Sequence, residues 1–283
     1  MQNKLTYDII SINVRGIREQ GKRRSIFSYL KDQKSKFFFL QETYSELNDE
    51  NIWKNEWGGE IFFSHGTRHS KGVCILIHPS VRGKVELFFT DKLGRIVLIT
   101  IVINSLKLSL CNIYAPNNQN EQLEFLQQLN NCLIDKAELI TLIVGGEWNC
   151  TLSRSDKVGD KPWKATNYRN LVLTMDIFDL IDIQIVKHPK LRKYSYESKA
   201  LKVKSRIDFV LVAKGLEHYV KKSEIYSSIA PDHKAICISM SWTNPTPRGP
   251  GLWKFNNSLL NDEEYVNKIH ETYAKLAVIT LIQ

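Results

Sequence analysis

Glu147 and Asn149 stand two residues apart just beyond an unbroken apolar and β-branched run, L-I-T-L-I-V over 139–144, with Gly145 and Gly146 between. Such a run predicts a fully buried strand that ends at a turn. The glycines free the backbone there, and in an extended turn residues two apart point the same way. An acid and an amide so placed can orient a water and hold a phosphate. The same two residues could equally be the solvated exit of an ordinary strand. Six more polar residues close or open apolar runs: Asn13, Glu42, Tyr114, Asp208, Asp232 and His233. In layered α/β folds, sites gather where strand ends converge. Any one of the eight is readily structural. Together, with an adjacent Asp-His pair and four carboxylates, they point to a site.

The chemistry they suit is phosphodiester hydrolysis. A hard cation must neutralise the phosphate, and carboxylates such as Glu42 bind Mg²⁺ through oxygen. A water must be aligned with the leaving oxygen, the task for Glu147 with Asn149. Charge developing on phosphorus must be offset, for which His233 is suited, its tautomer or charge fixed by a carboxylate such as Asp208. A tyrosine hydroxyl such as that of Tyr114 can donate to a phosphate oxygen.

The elements that must position these residues are legible as apolar periodicities. Strands are expected at Asp8–Val14, Phe37–Gln41, Ile61–Ser64, Gly72–His78, Ile207–Val212 and Ala235–Met240, with a polar loop H-G-T-R-H-S-K over 65–71. Arg95–Val102 and Leu106–Tyr114 read as a hairpin around Asn104-Ser105. Helices are expected over Lys22–Lys34, Asn120–Leu133 and Asn167–Asp176. Many strands with helices between only some of them predict an α/β fold with mixed sheets. Thr243–Gly251 holds three prolines and two glycines, a linker signature. Asn261 followed by Glu264 predicts a capping box that opens an amphipathic helix. The expected organisation is a catalytic-type domain over 1–240, a linker over 241–258 and a helix over 259–283 that leads into further protein.

The 283 residues carry 39 Lys and Arg against 30 Asp and Glu, a formal charge of +9. That balance favours a polyanionic partner, nucleic acid before an anionic membrane. No apolar run reaches the ~18 residues of a spanning helix, and the N-terminus shows no secretory apolar region. Cys74, Cys111, Cys132, Cys150 and Cys237 are widely spaced with no C-x-x-C pair, which favours reduced core thiols over a disulfide frame or zinc site.

The ordered motifs S-I-N-V-R-G, L-Q-E-T, N-I-Y-A-P-N, V-G-G-E-W-N, S-R-I-D-F-V-L and P-D-H-K resemble the exonuclease-endonuclease-phosphatase superfamily over about residues 5–240. That superfamily includes abasic-site endonucleases, DNase I and the endonuclease domains of non-LTR (LINE-type) retrotransposons. The resemblance implies a four-layer α/β sandwich with two mixed sheets packed face to face. It makes Glu42 the principal metal-binding glutamate and Asn13 its support. Tyr114 becomes the phosphate-contacting tyrosine, Asn149 the asparagine of G-D-x-N, Asp208 a carboxylate near the catalytic site, and Asp232 and His233 the S-D-H ending. The implied cofactor is Mg²⁺, with Mn²⁺ as a substitute.

G-P-G-L-W-K-F-N-N-S-L-L over 249–260, together with Q-E-T-Y, N-C-T-L and Asp156-Lys157, resembles the LINE-type branch. The implied role is to nick one strand of double-stranded target DNA in the nucleus. The 3′-hydroxyl then primes reverse transcription, with the element RNA and a downstream reverse transcriptase of the same polyprotein as partners and no membrane. The basic stretch 187–206 matches a hairpin that in this branch reaches into the DNA groove. Lys193, Tyr194, Lys199, Lys202, Lys204 and Arg206, with Lys157, are therefore expected DNA contacts, giving affinity and salt dependence but little sequence choice.

Three positions depart from the pattern. Glu147 stands for aspartate, Arg15 for an acidic residue of many repair members, and Pro231 for the serine of S-D-H. A glutamate reaches farther by one methylene, and misplacement by about 1 Å can cost on the order of 100-fold in rate. Drift in a decayed element, a tolerated variant and a deliberate attenuating substitution all fit Glu147. The competing functions are a catalytically weak DNA-binding module, an abasic-site repair endonuclease, and a phosphoinositide or sphingolipid phosphodiesterase, the last disfavoured by the lack of a membrane-binding stretch.

Overall fold

The computed structural model describes residues 4–33, 35–159, 165–230, 232–243 and 261–280. Pro231, most of the expected linker and the 249–260 stretch therefore lie outside the described residues. The chain runs β1 (Lys4–Asn13), α1 (Gln20–Lys31), β2 (Phe37–Gln41), α2 (Glu50–Trp57), β3 (Ile61–Ser64), β4 (Val73–Ile77), β5 (Lys84–Thr90), β6 (Ile96–Ile103) and β7 (Leu106–Tyr114). It continues with α3 (Gln119–Lys136), β8 (Leu142–Glu147), β9 (Lys157–Val158), α4 (Ala165–Ile177), β10 (Leu180–Asp182), α5 (Ile183–Lys187), β11 (Tyr196–Ser198) and β12 (Val203–Ser205). The last elements are β13 (Asp208–Ala213), β14 (Val220–Tyr226), β15 (Ala235–Thr243) and α6 (Glu263–Thr280). Lys4–Trp242 packs as one compact unit, and α6 belongs to a second. Among the described residues no helix is long and apolar enough to cross a membrane.

Two six-stranded mixed sheets, ordered β14-β15-β1-β2-β4-β3 and β10-β13-β8-β7-β6-β5, form an α/β sandwich. The run F-F-F-L-Q of β2 shows why its sequence is apolar throughout. Phe37 and Phe39 belong to the core cluster that contains the second sheet, while Phe38 and Leu40 pack with α1 and α2 through Phe27, Trp53 and Trp57. Both faces are buried, so period-2 alternation is hidden. Each fully buried Phe contributes about 1.5–3 kcal/mol. Leu126, Leu129 and Leu133 of α3 enter the first cluster from another layer.

Several boundaries differ from expectation. Leu139–Thr141 forms a 3₁₀ turn, so β8 starts at Leu142 and runs through both glycines to include Glu147. The glycines do not stop the strand; they thin it. A Cβ on Gly146 would lie 2.0 Å from the Ile113 carbonyl oxygen, and its φ is 140°. The expected capping box at Asn261 is replaced by Asp262, whose Oδ1 accepts the Glu264 and Tyr265 N–H groups at 3.0 and 3.1 Å. The five cysteines are free, with Cys74, Cys111 and Cys132 buried.

Arg206, expected on DNA, is instead in the interior. Its side chain is 2% exposed and pairs with Asp156 through Nε at 2.8 Å and with Asp182 through Nη1 at 2.6 Å. Nη2 adds a second bond to Asp156 at 3.1 Å, and the guanidinium lies over the Phe209 ring. Two buried carboxylates demand a planar, permanently charged partner, which overrides the pull of a basic sequence context. Truncating Arg206 would strand both acids. Arg206→Ala should cost about 3–5 kcal/mol in denaturant unfolding, with Arg206→Lys in between. A loss under about 1 kcal/mol, combined with weakened DNA binding, would contradict this placement.

Candidate active site

The sheets bring their polar ends to one place through register. In the first sheet Asn13 of β1 is level with Gln41 of β2, and Glu42 follows at once. In the second, Tyr114 of β7 and Asp208 of β13 are both level with Glu147 of β8. The turn after β8 is anchored by Trp148, which is buried, stacks on Phe209, and donates its indole N–H to the Phe209 carbonyl at 3.1 Å. Asn149 then adopts φ 51° and donates its side-chain amide to the Ala115 carbonyl at 2.9 Å. Asn13, Glu42, Glu147, Asn149, Asp232 and His233 line a single cleft of about 440 Å³.

Glu147 is 3% exposed and accepts the Asn13 side-chain N–H at 2.5 Å. Its carboxylate, that of Asp208 and a ring nitrogen of His233 lie within 4.8 Å of one another. Burial first, then the Asp208 carboxylate, push the Glu147 carboxyl upward; the His233 charge and the Asn13 bond pull it back only in part. His233 bonds through Nδ1 to Asp208 Oδ2 at 3.0 Å. Burial opposes its charged form, but the Asp208 carboxylate, by charge and hydrogen bond, outweighs burial and lifts the imidazole to about 9. Of the three, His233 already has its Nδ1 engaged by Asp208 and Glu147 has one oxygen engaged by Asn13. The pairing of Asp208 with His233 expected from the sequence is present.

Glu42 has different surroundings. It sits at φ 51° and accepts two phenols, Tyr44 at 2.8 Å and Tyr114 at 2.9 Å. Burial first, then the Glu42 bond, push the Tyr44 hydroxyl up to about 12. Burial first, then the charges of Glu147 and Glu42, hold Tyr114 well above the usual phenol range. Both phenols are therefore donors at physiological pH, and they leave the Glu42 oxygens further lone pairs. Tyr114, expected on phosphate, does not line the cleft; its hydroxyl holds Glu42, and Arg95 stacks over its ring. Asp232 pairs with Arg15 through Oδ2 at 2.5 Å, while its buried Oδ1 has no hydrogen-bond partner. Asp232, Glu42 and Asn13 all line the cleft and offer oxygen donors, the kind a hard divalent cation prefers.

The basic stretch folds as a hairpin, β11 on β12, with β9 as a third strand. It is tied to the site by backbone: Glu197 N–H bonds the Asp232 carbonyl at 3.0 Å and Lys234 N–H the Ser195 carbonyl at 2.7 Å. Buried Ser195 also accepts the Asp208 N–H through Oγ at 3.0 Å. Lys199 and Lys202 are exposed around the hairpin turn, and Lys157 is half-buried on β9. Lys204 is exposed but pairs across the strands with Glu197 at 2.9 Å. Lys193 reaches the Ile225 carbonyl at 3.3 Å rather than the cleft, and Tyr194 is half-buried outside the cleft lining. Tyr196, which with Tyr194 alternates among the basic residues and was expected under the hairpin or against sugars, lines the cleft with its ring 5.0 Å from that of His233. Tyr44 was unassigned, although Q-E-T-Y carries it.

No family model matches the chain. It is 28% identical over 278 residues to the "Transposon TX1 uncharacterized 149 kDa protein" of Xenopus laevis, which covers 95% of this chain. In structure it resembles the AP endonuclease LMAP of Leishmania major, with TM-score 0.69 and 16% identity over 84% of this chain and 88% of that one. The two share one fold. The endonuclease domain of TRAS1, a telomere-specific non-LTR retrotransposon, shares it with TM-score 0.61 and 15% identity over 83% of this chain and 98% of that one. The chain spans 21% of the length of the TX1 protein.

The His233–Asp208 bond sets a pH signature. In protein free of divalent metal, His233 should titrate near 9 by NMR, against ~6.5 for an ordinary imidazole. Because the folded value is raised, the stability it contributes is fully present below about pH 6.5 and lost as pH climbs through the folded value. Asp208→Asn should lower the midpoint, since the largest influence opposing burial is removed while the Glu147 and Asp232 charges remain. A wild-type midpoint at or below ~6.5 would show that Asp208 does not hold the charge.

Proposed function

We propose that this chain is the metal-dependent endonuclease domain of a LINE-type retrotransposon. It nicks one strand of double-stranded DNA and leaves a 3′-hydroxyl for target-primed reverse transcription. The observation that carries the chemistry is the convergence of three carboxylates, three amides and an imidazole paired with Asp208 on one cleft at the ends of both sheets. Support for the element comes from the similarity to the TX1 transposon protein and from the fold shared with the TRAS1 domain.

Glu42 and Asp232, with the Asn13 amide oxygen, would hold Mg²⁺, which supplies charge neutralisation and polarisation of the phosphate. Asn149 and Glu147 orient the attacking water, and the raised proton affinity of Glu147 suits it to take that water's proton near neutral pH. His233, held charged by Asp208, donates to a non-bridging phosphate oxygen as negative charge grows there. Tyr44 and Tyr114 fix Glu42. Lys199, Lys202, Lys204 and Lys157 meet DNA phosphates, with Lys204 discounted for its pairing with Glu197. Glu147, longer than aspartate, lowers the rate. The element RNA and a downstream reverse transcriptase are the further partners, and the nucleus is the site of action. The higher TM-score to the AP endonuclease favours abasic-site incision as the second reading; preference for an abasic duplex over intact plasmid would select it.

Supercoiled plasmid should become open circle in Mg²⁺ or Mn²⁺. EDTA should stop this, and Glu42→Ala should lower the rate at least 100-fold, as expected for losing a group that positions charge at the reacting centre. Nicking that survives both treatments would refute the mechanism.

A further inference from the structure

Arg15 has no role in the chemistry above, yet it lines the same cleft. Its backbone is locked. It holds φ 49°, its N–H bonds Asn13 Oδ1 at 2.9 Å, and its carbonyl accepts the Lys22 ammonium at 2.8 Å. Gly16 beside it donates its N–H to the Glu42 carbonyl at 2.6 Å. A Cβ at Gly16 would strike the Tyr44 ring at 2.5 Å, so the turn is packed directly against the residues that hold Glu42. A non-glycine residue in the left-handed region costs of order 1 kcal/mol or more, and here four contacts maintain it.

The side chain is not locked in the same way. It is 58% exposed, and Nη1 bonds Asp232 Oδ2 at 2.5 Å. Asp232 is its one hydrogen-bonding partner among the described residues. The guanidinium has five N–H donors in a fixed fork, of which Asp232 engages only Nη1. The cleft lining holds Glu42, Glu147 and Asp232 as acids, and only Arg15 and His233 as cations among the described residues. Arg15 is the one of the two that stays charged at every working pH. Exposed ion pairs of this kind stabilise a fold little, whereas a fork aimed by a carboxylate is the usual geometry for gripping phosphate.

We infer that Arg15, aimed by Asp232, grips a non-bridging phosphate oxygen of the nucleic-acid strand in the cleft. It is a substrate-positioning residue, and the inference rests on the nuclease reading above. Its contact is with the strand and not with the metal, so it can be read in EDTA, where no cleavage occurs.

The test is fluorescence anisotropy of a labelled DNA duplex with the full chain in EDTA, as a function of salt, for wild type, Arg15→Gln and Arg15→Lys. Losing one phosphate contact should make the slope of log affinity against log salt shallower by about one in Arg15→Gln, while Arg15→Lys keeps the slope. A single neutral methylphosphonate walked along one strand should weaken wild type at each contacted phosphate and leave Arg15→Gln indifferent at one of those positions. If Arg15→Gln lowers the melting temperature but leaves the slope and the methylphosphonate profile unchanged, Arg15 is a structural clasp and the inference is overturned. Wild type that shows no salt-dependent duplex binding would overturn the nuclease reading itself. Because the methylphosphonate profile of wild type and the Arg15→Lys slope need no Gln variant, the inference stays testable if that variant misfolds.

Discussion

Glu147 and Asp208 face each other across antiparallel strands in direct register, and both are almost fully buried. Like charges in such a pair repel, and burial raises the cost of each. The arrangement is tolerable because His233 sits against Asp208 as a cation and Asn13 donates to Glu147. Asn13 comes from the other sheet, so the pair can exist only when the two sheets are docked in one alignment. Gly145 allows that alignment, since a Cβ there would lie 3.0 Å from the Phe39 ring of the other sheet. Burial, reinforced by the Asp208 charge, raises the proton affinity of Glu147, and attraction to the same Asp208 carboxylate raises that of His233.

The docking is enforced by buried polar ties rather than by apolar packing alone. Gln41 donates to Ser11 Oγ at 3.1 Å and to Asn112 Oδ1 at 2.7 Å. Asn112 in turn donates to the Leu40 and Cys74 carbonyls at 2.9 and 2.8 Å. These bonds link β2, which carries Glu42, to β7, which ends at Tyr114 and from there returns to Glu42. Hydrogen bonds in a dry interior are strong and directional, so they fix the sliding of one sheet over the other where Leu and Phe contacts would permit it. At the hairpin the Arg206–Asp156–Asp182 triad and Ser195 do the same, fastening the basic segment to the strand that begins with Asp208.

Much of this was legible in the sequence, for identifiable reasons. β2 and β3 match their expected bounds because they are apolar runs closed by a polar residue, and β7 matches because the Asn104-Ser105 turn opens it and Tyr114 closes it. α2, β5 and β14 had no clear signature. α2 is eight residues long with only Trp53 and Trp57 buried, and β5 is an edge strand half exposed to solvent. The cleft residues Asn13, Glu42, Glu147, Asn149, Asp232 and His233 were all readable as strand-end polar groups. Tyr44 was not, because it follows its strand by three residues and reaches Glu42 only through a left-handed turn. Arg206 shows the opposite failure: charge counting places it with its basic neighbours, but its partners Asp156 and Asp182 are distant in sequence and only the fold joins them.

If the buried trio is the reacting centre, its chemistry depends on an ionisable carboxylate at position 147 and on that carboxylate's reach. Single-turnover nicking of one plasmid by wild type, Glu147→Asp and Glu147→Gln measures both at once. The expected order is Asp fastest, by on the order of 10- to 100-fold over Glu, with Gln slower than Glu by at least that much. A Gln protein as active as wild type would contradict the assignment of this cluster as the hydrolytic centre.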